Sequence, residues 1–382
     1  MNIQVGQSVR DKPKHRLKIL YIQPGTKAFA GIERVVDDVC AMLADRYPED
    51  FEVDVLYTSV HKNRPTEARS YRSIERIAAS RIALMRTFRS VIGAKHYSLV
   101  VVPQIEPTVM CMVACLGLNR RFAVHLHGNP KREAVHFRAK LLFFLMRNYF
   151  LSRVSYVFGT SPRQLETFEK MFDSKIPQIW VPNPVRAFNL DDAPASERAS
   201  GMVTFVNVGR FAFQKGQDIL LDAFSQLVKV RPNVRLKIVG YGREEANLRA
   251  EISRLNLEDF VRIEHHPTSP QPALEISDVY VSTSRWEGWS LAICEALRFG
   301  LPVVATDCDF GPSDILVDDR LGRLVAAEGG RTLVDAMIYY CDNIALERAH
   351  SDFRKVFIDR FSPEHVVEIH AQALRSAARV FA

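Results

Sequence analysis

The chain is most constrained by an alternation that runs along nearly its whole length, in which short β-branched runs are followed by segments of helical periodicity. The run at residues 99–102 is apolar at every position, which is typical of a parallel strand buried on both faces. We therefore predict an α/β protein with parallel sheets covered by helices. In the first half, strands are predicted at 18–22, 52–57, 99–102, 123–126, 156–159 and 178–181, with helices at 33–43 and 136–151.

The same alternation restarts after residue 200 and predicts a second sheet. Its strands are predicted at 203–208, 235–239, 261–264, 279–282 and 303–305, with helices at 217–228, 243–255 and 291–299. Ligands of open parallel sheets bind outside the carboxyl ends of the strands. Two such Rossmann-like domains are therefore expected to face each other across a central cleft.

The boundary between the two series lies in a segment rich in Pro, Asp, Ala and Ser at residues 191–196, which has the composition of a linker. A length of 382 residues also favours more than one domain. We predict a first domain at residues 1–185, a linker at 186–200 and a second domain at 201–360. The remaining residues, 361–382, are predicted to form a helix that packs back toward the first domain.

Several classes of protein are disfavoured by the sequence. The six cysteines are scattered without a Cys-x-x-Cys pair, which predicts neither a disulfide framework nor a zinc site. Residues 1–16 are polar, and the apolar run after them has only the length of a strand, so no signal peptide is expected. No stretch approaches the about 20 consecutive apolar residues that span a bilayer. We expect a cytoplasmic protein without a transmembrane helix.

Charge is distributed unevenly along the chain. Residues 1–187 carry a net charge of +13, whereas the remainder carries −6. Nine basic and only two acidic residues lie between His61 and Lys95, and a second basic cluster spans residues 131–153. This asymmetry predicts an anionic partner for the first domain, although a solvated helical face would have the same composition. A membrane surface is favoured over nucleic acid, because no nucleic-acid-binding motif accompanies the charge.

Three motifs follow predicted strands of the second domain. Arg210 and Lys215 lie in a loop before a helix, where free backbone N–H groups favour a diphosphate, although a basic pair in a loop is often only surface decoration. The turn at residues 240–242 fails the dinucleotide fingerprint because Glu245 replaces its third glycine. Glu287 and Glu295 lie eight residues apart. Their carboxylates suit sugar hydroxyls, although a salt-bridge role for Glu295 is the alternative.

These motifs together resemble the retaining glycosyltransferases of family 4, which have the GT-B fold. The resemblance rests on the Arg210–Lys215 loop, the glycine turn, the Glu287-x7-Glu295 spacing and the Pro-Val-Val-Ala-Thr-Asp segment at 302–307. It implies that Arg210 and Lys215 hold the donor diphosphate, Glu287 contacts the donor sugar and Glu295 binds the ribose. The other donor-binding residues that it implies are Gly31, Gly240, Gly288, Trp289, Ser290 and Leu291, the last four through backbone N–H groups.

In the first domain the resemblance implies a histidine near the reacting sugar. His127 closes a predicted strand and is preferred over His125, which we expect to point to the opposite side of the strand. The predicted catalytic set is His127, Glu287, Arg210 and Lys215. The Asp307-Cys-Asp309 motif is interpreted as coincidental, Asp314 has no assigned role, and neither a metal nor a cofactor is predicted.

The resemblance thus predicts a retaining, metal-independent glycosyltransferase that moves a hexose from a nucleoside-diphosphate sugar to a glycan or lipid-linked acceptor of the cell envelope. It would act as a peripheral protein on the cytoplasmic face of the membrane. The alternatives are a nucleotide-sugar 2-epimerase of the same architecture and a sugar-nucleotide-binding relic without catalysis. The nucleobase, the sugar, the acceptor, the linkage and the oligomeric state are left open.

Overall fold

The computed structural model describes residues 16–26, 29, 31–62, 64, 67–134, 136–188, 201–266 and 269–379. They form two α/β domains, each built on one parallel sheet, which confirms the predicted fold class. Of the linker predicted at 186–200, residues 189–200 lie outside the described residues.

The first domain contains a seven-stranded sheet with the order β3-β2-β1-β4-β5-β6-β7. Its strands are β1 Leu17–Ile22, β2 Phe51–Tyr57, β3 Arg72–Glu75, β4 Leu99–Pro103, β5 Phe122–Leu126, β6 Val154–Gly159 and β7 Gln178–Trp180. Its helices are α1 Gly31–Arg46, α2 Arg81–Ala94, α3 Ile105–Ala114, α4 Pro130–Glu133, α5 Phe137–Leu145 and α6 Pro162–Phe172.

The second domain contains a six-stranded sheet with the order β10-β9-β8-β11-β12-β13. Its strands are β8 Val203–Val208, β9 Val234–Val239, β10 Val261–Glu264, β11 Val279–Ser282, β12 Val303–Thr306 and β13 Gly322–Val325. Its helices are α7 Gln217–Val230, α8 Glu245–Arg254, α9 Gln271–Glu275, α10 Leu291–Arg298, α11 Pro312–Ile315, α12 Gly330–Arg348 and α13 Ser351–Ile358, and the chain continues into α14 Pro363–Arg379.

Both sheets are covered by helices on both faces. Successive side chains of a strand point to opposite sides, so each strand contributes to both core layers. In β1, Leu20 and Ile22 pack against α2 and α3, whereas Ile19 and Tyr21 pack against α1 and α14. Strand β4 is fully buried between the two layers. Burying each of its valine side chains stabilises the fold by about 2 kcal/mol. An apolar run of this kind is therefore expected at the centre of a sheet rather than at an exposed edge.

Helix α14 returns from the second domain to the first. Its Val367 and Leu374 are buried with Leu43 of α1, and the Arg375 guanidinium donates to Asp50 at 2.5 Å. The last helix thus completes the core of the first domain and connects the two halves of the molecule a second time.

The observed elements differ from the predicted ones most clearly at two strands and one helix. Strands β3 and β13 were not predicted, because both are four-residue strands at sheet edges without a continuous apolar run. The single helix predicted at 136–151 is interrupted, since α5 ends at Leu145 and continues as a π-helical turn at Met146–Phe150 and a 3-10 turn at Leu151–Arg153.

Candidate functional site

The centre of the site lies where the strand order of the second sheet reverses, between β8 and β11. Lys215 follows β8 and Glu287 follows β11, and the Lys215 ammonium donates to the Glu287 carboxylate at 2.5 Å. The Ser284 hydroxyl donates to the same oxygen at 2.6 Å. Crevices at such reversal points are where open α/β sheets bind ligands. Two of the predicted site residues are therefore brought into direct contact.

The turn that carries Lys215 is fixed by close packing. Gly216 adopts a left-handed conformation with φ of 62°, and a Cβ at this position would lie 2.0 Å from the Thr283 carbonyl oxygen. The Thr283 hydroxyl donates to the Gly216 carbonyl at 2.8 Å, and the Gln214 amide donates to the Trp286 carbonyl at 3.0 Å. The loops after β8 and β11 thus hold each other in register.

Arg210 lies at the exposed rim of this loop. Its guanidinium is 3.5 Å from the Gln214 side-chain oxygen, a long contact that leaves the group able to reorient. Behind it, a Cβ on Gly240 would lie 2.0 Å from the Gly209 carbonyl oxygen. Only glycine permits this approach at a φ of 154°. The structure therefore gives Gly240 a packing role beside the loop of Arg210.

Glu295 lies inside α10 and is buried. Burial raises the pKa of its carboxyl group, and the charge of Arg34 partly offsets this effect, so that the pKa is about 7. The guanidinium groups of Arg34 and Arg186 lie 3.7 and 3.9 Å from its Oε1 atom. Arg34 belongs to α1 of the first domain, so this carboxylate faces the cleft between the domains.

His127 lies directly after β5 and meets the second domain through its backbone. A Cβ on Gly288 would lie 1.8 Å from the His127 carbonyl oxygen, so the loop after Glu287 touches the first domain at that carbonyl. Burial lowers the pKa of the His127 imidazole to about 3. The ring is therefore neutral at physiological pH, and its nitrogens find no hydrogen-bond partner in the described part of the chain.

The predicted orientation of His125 is wrong. The rings of His125 and His127 are 4.0 Å apart, and His370 of α14 lies 5.6 Å from His125. Residues i and i+2 of a strand share one face, so both histidines point to the α14 side of the sheet. His125 forms the floor beneath His127 rather than lying across the sheet from it.

The remaining predicted donor residues are placed as follows. Ser290 precedes the first turn of α10, which begins at Leu291. The Trp289 ring is buried against Trp180 and Phe361, at 6.1 and 5.0 Å, which leaves only its backbone near the cleft. A Cβ on Gly31, the first residue of α1, would meet no atom of the described residues within 4 Å.

The two acidic motifs without an assigned role form contacts between the domains. Arg163 of α6 lies 3.4 Å from Asp307 and 3.3 Å from Asp309, and it also donates to the Ser313 hydroxyl. Ser161 donates to Asp314 at 2.5 Å. We call Ser161, Arg163 and their partners Asp307, Asp309, Ser313 and Asp314 the interdomain clasp. Asp307 and Asp309, which were not assigned to a metal site, thus take part in contacts between the domains.

Reversing one charge of the clasp should open the molecule. In Arg163→Glu the attractions to Asp307 and Asp309 become repulsions. We expect this to destabilise the contact between the domains by about 2 kcal/mol, since exposed ion pairs contribute up to about 1 kcal/mol each. The radius of gyration from small-angle scattering should increase. Lys170→Glu on the same helix is the control, because Lys170 pairs only with Glu166 of α6 in the described chain. Equal radii for both variants would contradict the clasp.

Two residues near the cleft were missed by sequence reasoning. Gln104, directly after β4, has a φ of 74°, which is rare for a residue other than glycine and marks many ligand sites. Glu133 accepts from the Ile105 backbone N–H at 3.0 Å, and burial raises the pKa of Glu133 to about 7. Neither has a motif around it that could have indicated this placement. Among the described residues no group of three or more His, Cys, Asp or Glu side chains could hold a metal ion.

The second domain matches a known family. Residues 191–354 match the model of "Glycosyl transferases group 1". An uncharacterized glycosyltransferase of Methanocaldococcus jannaschii is 25% identical over 62% of this chain and 60% of that protein. A poly(ribitol-phosphate) alpha-N-acetylglucosaminyltransferase of Staphylococcus aureus is 31% identical over 42% of this chain and 33% of that protein. The matched region thus covers less than two thirds of either relative's own length.

The whole chain resembles solved structures. The Anabaena protein HepE in complex with UDP superimposes with a TM-score of 0.78 at 19% identity, and the match covers 94% of this chain and 100% of HepE. At this identity the likeness concerns the fold. Residues 191–354 therefore match the group 1 glycosyl transferases, and the two-domain chain as a whole has the GT-B fold.

Proposed function

We propose that this protein is a retaining, metal-independent glycosyltransferase that uses a nucleoside-diphosphate sugar. The proposal rests on one observation above all: Lys215 and Glu287 meet at the strand-order reversal of one sheet, and the loop after Glu287 touches the His127 backbone of the other domain. Glu295 faces the same interdomain cleft through Arg34. A cation for phosphate and two carboxylates for hydroxyl groups are the donors and acceptors that a sugar nucleotide requires.

The chemistry follows from the charge that develops when the nucleoside diphosphate leaves. Lys215 and the first N–H groups of α7 and α10 would stabilise that charge as preorganised donors, and the exposed guanidinium of Arg210 would add a further charge. The Lys215 ammonium donates to Glu287. Glu287 would then turn to the sugar hydroxyls as the diphosphate draws Lys215 toward it. Retention fits a front-face route in which the leaving phosphate assists the acceptor hydroxyl.

The comparisons support a cell-envelope acceptor. The relative from Staphylococcus aureus is named for transfer of N-acetylglucosamine to poly(ribitol phosphate), and HepE was solved with UDP. We therefore favour a uridine nucleotide as donor and an anionic or lipid-linked glycan as acceptor for this chain.

Thermal unfolding with UDP, GDP and ADP tests the donor. A nucleotide that binds only the folded protein raises its melting temperature with increasing concentration. We expect UDP to do so, without added divalent metal and with EDTA present.

The 2-epimerase alternative is distinguished by analysing the nucleotide product, since an epimerase converts the sugar nucleotide without an acceptor. No stabilisation by any of the three nucleotides would contradict the proposal.

We also propose that the first domain rests on an anionic membrane through α5. Phe137, Leu141 and Phe144 are exposed and lie on one face of this helix, at spacings of four and three residues. Three exposed basic residues accompany them, namely Arg138, Lys140 and Arg147. Apolar patches of this kind mark interaction surfaces, and basic residues near an anionic leaflet contribute about 1 kcal/mol each. No helix of the described residues is long and apolar enough to cross a bilayer.

The basic cluster at 61–95 contributes less to this surface than its sequence suggests. Four of its nine basic residues form ion pairs with acidic side chains of the same domain, namely Arg64, Arg69, Arg72 and Lys95. Their charge is therefore compensated locally, and α5 becomes the stronger candidate for the membrane-facing element.

Vesicle sedimentation tests this surface. The protein should bind phosphatidylglycerol vesicles but not phosphatidylcholine vesicles, and added salt should release it because the attraction is screened. Replacing Phe137, Leu141 and Phe144 together by serine should weaken binding at least about tenfold. Val356→Ser, an exposed apolar position of the second domain, is the control. Equal binding to both lipids, or no effect of the triple replacement, would count against α5.

A further inference from the structure

Glu295 has two cationic neighbours that could not be predicted from its sequence motif. Arg34 projects from the first turn of α1, and Arg186 lies in the segment after β7. Both guanidinium groups approach the same carboxylate oxygen of Glu295. One cation therefore comes from the first domain and the other from the start of the connection between the domains, whereas the carboxylate itself belongs to the second domain.

The distances distinguish this arrangement from an ordinary salt bridge. At 3.7 and 3.9 Å the nitrogen atoms lie beyond hydrogen-bond distance from Oε1. The two cations lower the free energy of the charged carboxylate without occupying its lone pairs. A hydroxyl-bearing ligand can then donate to a carboxylate that is buried, ionised and not already engaged by its cations.

We propose that Arg34 and Arg186 are positioning residues that favour the ionised form of Glu295 for the ribose of the nucleotide, so that donor binding depends on the first domain as well as the second. This inference rests on the proposed function for its ligand. It predicts that the second domain binds a nucleotide tightly only when α1 is close to α10.

Two of the titratable groups around Glu295 are neutral at neutral pH. Tyr280 of β11 and Cys294 of α10 both have pKa values raised by burial, so both are neutral. Glu287 lies on the neighbouring loop, where its charge is paired with that of Lys215. Arg34, with Arg186 beside it, therefore supplies the charge that opposes the burial of Glu295.

The pH dependence follows with a definite sign. The pKa of Glu295 is raised to about 7, so the ionised form is lost as pH falls through this value. Removing the charge of Arg34 raises the pKa further. If it rises by one unit, the ionised fraction at pH 7 falls about fivefold, whereas at pH 9 it changes by only about a tenth.

Titration of UDP into the wild type, Arg34→Gln and Arg186→Gln by calorimetry between pH 6.5 and 9 tests the proposal. Arg34→Gln should bind about fivefold more weakly than the wild type at pH 7 and nearly equally at pH 9. Arg186→Gln should weaken binding in the same direction, with the same convergence at pH 9. Because the nucleotide phosphate titrates identically in all samples, it cancels in the ratio. Arg34→Lys should restore most of the affinity at pH 7. Arg231→Gln, which removes an exposed pair with Asp342, is the matched control.

A second measurement needs no ligand. Carboxyl-carbon NMR of selectively labelled glutamate, with the signal assigned through Glu295→Gln, should show a pKa near 7 that rises in Arg34→Gln. An unchanged pKa, or an affinity loss that is equal at every pH, overturns the inference. Failure of the wild type to bind UDP, GDP or ADP overturns the proposed function itself, whereas the NMR titration still decides whether the two arginines act on Glu295.

Discussion

Replacing Lys215 by alanine is expected to weaken binding of the nucleoside diphosphate by about ten- to a hundredfold, because a hydrogen bond to a charged group contributes about 1.5–3 kcal/mol. Turnover should fall with it, since the same charge stabilises the leaving diphosphate. Lys215→Ala also leaves the buried Glu287 without its cation, although Ser284 still donates to it. We therefore expect the variant to lose about 1–3 kcal/mol of stability as well.

The two effects of Lys215→Ala can be separated. The double variant Lys215→Met/Glu287→Gln removes both charges and should recover the stability without recovering nucleotide binding. Lys229→Ala, an exposed lysine in the last turn of α7, is the matched control and should change neither quantity. Calorimetric titration gives the affinity, and denaturant unfolding gives the stability. Unchanged nucleotide affinity in Lys215→Ala would remove Lys215 from the diphosphate site.

The second large effect is expected from Gly288→Ala. The added methyl group would lie 1.8 Å from the His127 carbonyl oxygen and 3.0 Å from the Gln164 side-chain nitrogen. A backbone oxygen cannot move aside as a flexible side chain can, so the two domains must separate by an ångström or more. Misplacement on this scale costs about a hundredfold in rate. Transfer activity should therefore fall by at least that factor, while the second domain keeps its loop intact.

Gly93→Ala provides the control for this substitution. Gly93 lies within α2, where a Cβ would make only ordinary contact at 3.5 Å with Leu118. Alanine there should be neutral or slightly stabilising. Steady-state transfer rates should fall in Gly288→Ala and stay unchanged in Gly93→Ala. Unfolding curves should show no loss of stability in Gly93→Ala. Full activity of Gly288→Ala would show that the contact between Gly288 and His127 is not used during turnover.

The fold could be predicted because its determinants are local. Continuous apolar runs such as that of β4 indicate buried parallel strands, and the glycine and acidic motifs follow strand ends that lie at one edge of each sheet. The pairing of Lys215 with Glu287 was not foreseen, although both residues were chosen. Their two strands are neighbours only because the strand order reverses between β8 and β11.

The interdomain contacts could not be predicted from the sequence. Arg163 and Asp309 are separated by 146 residues, and nothing near either position indicates its partner. The same holds for Arg34 and Glu295, which meet only after both domains have folded and approached each other. The error at His125 has a different origin, because the rule of alternating faces was applied to residues two apart, which share a face.

Transfer of a labelled sugar tests the central proposal most directly. The protein is incubated with a UDP-hexose labelled at the anomeric carbon, in EDTA, with acceptors of defined chemistry: a polyprenyl-linked sugar, a lipopolysaccharide core oligosaccharide and a polyol-phosphate polymer. We predict that one acceptor gains the label, that one UDP is released for each sugar transferred, and that the anomeric configuration of the donor is retained. Inverted product, label that moves only when metal is added, or an epimerised sugar nucleotide without any labelled acceptor would contradict the account.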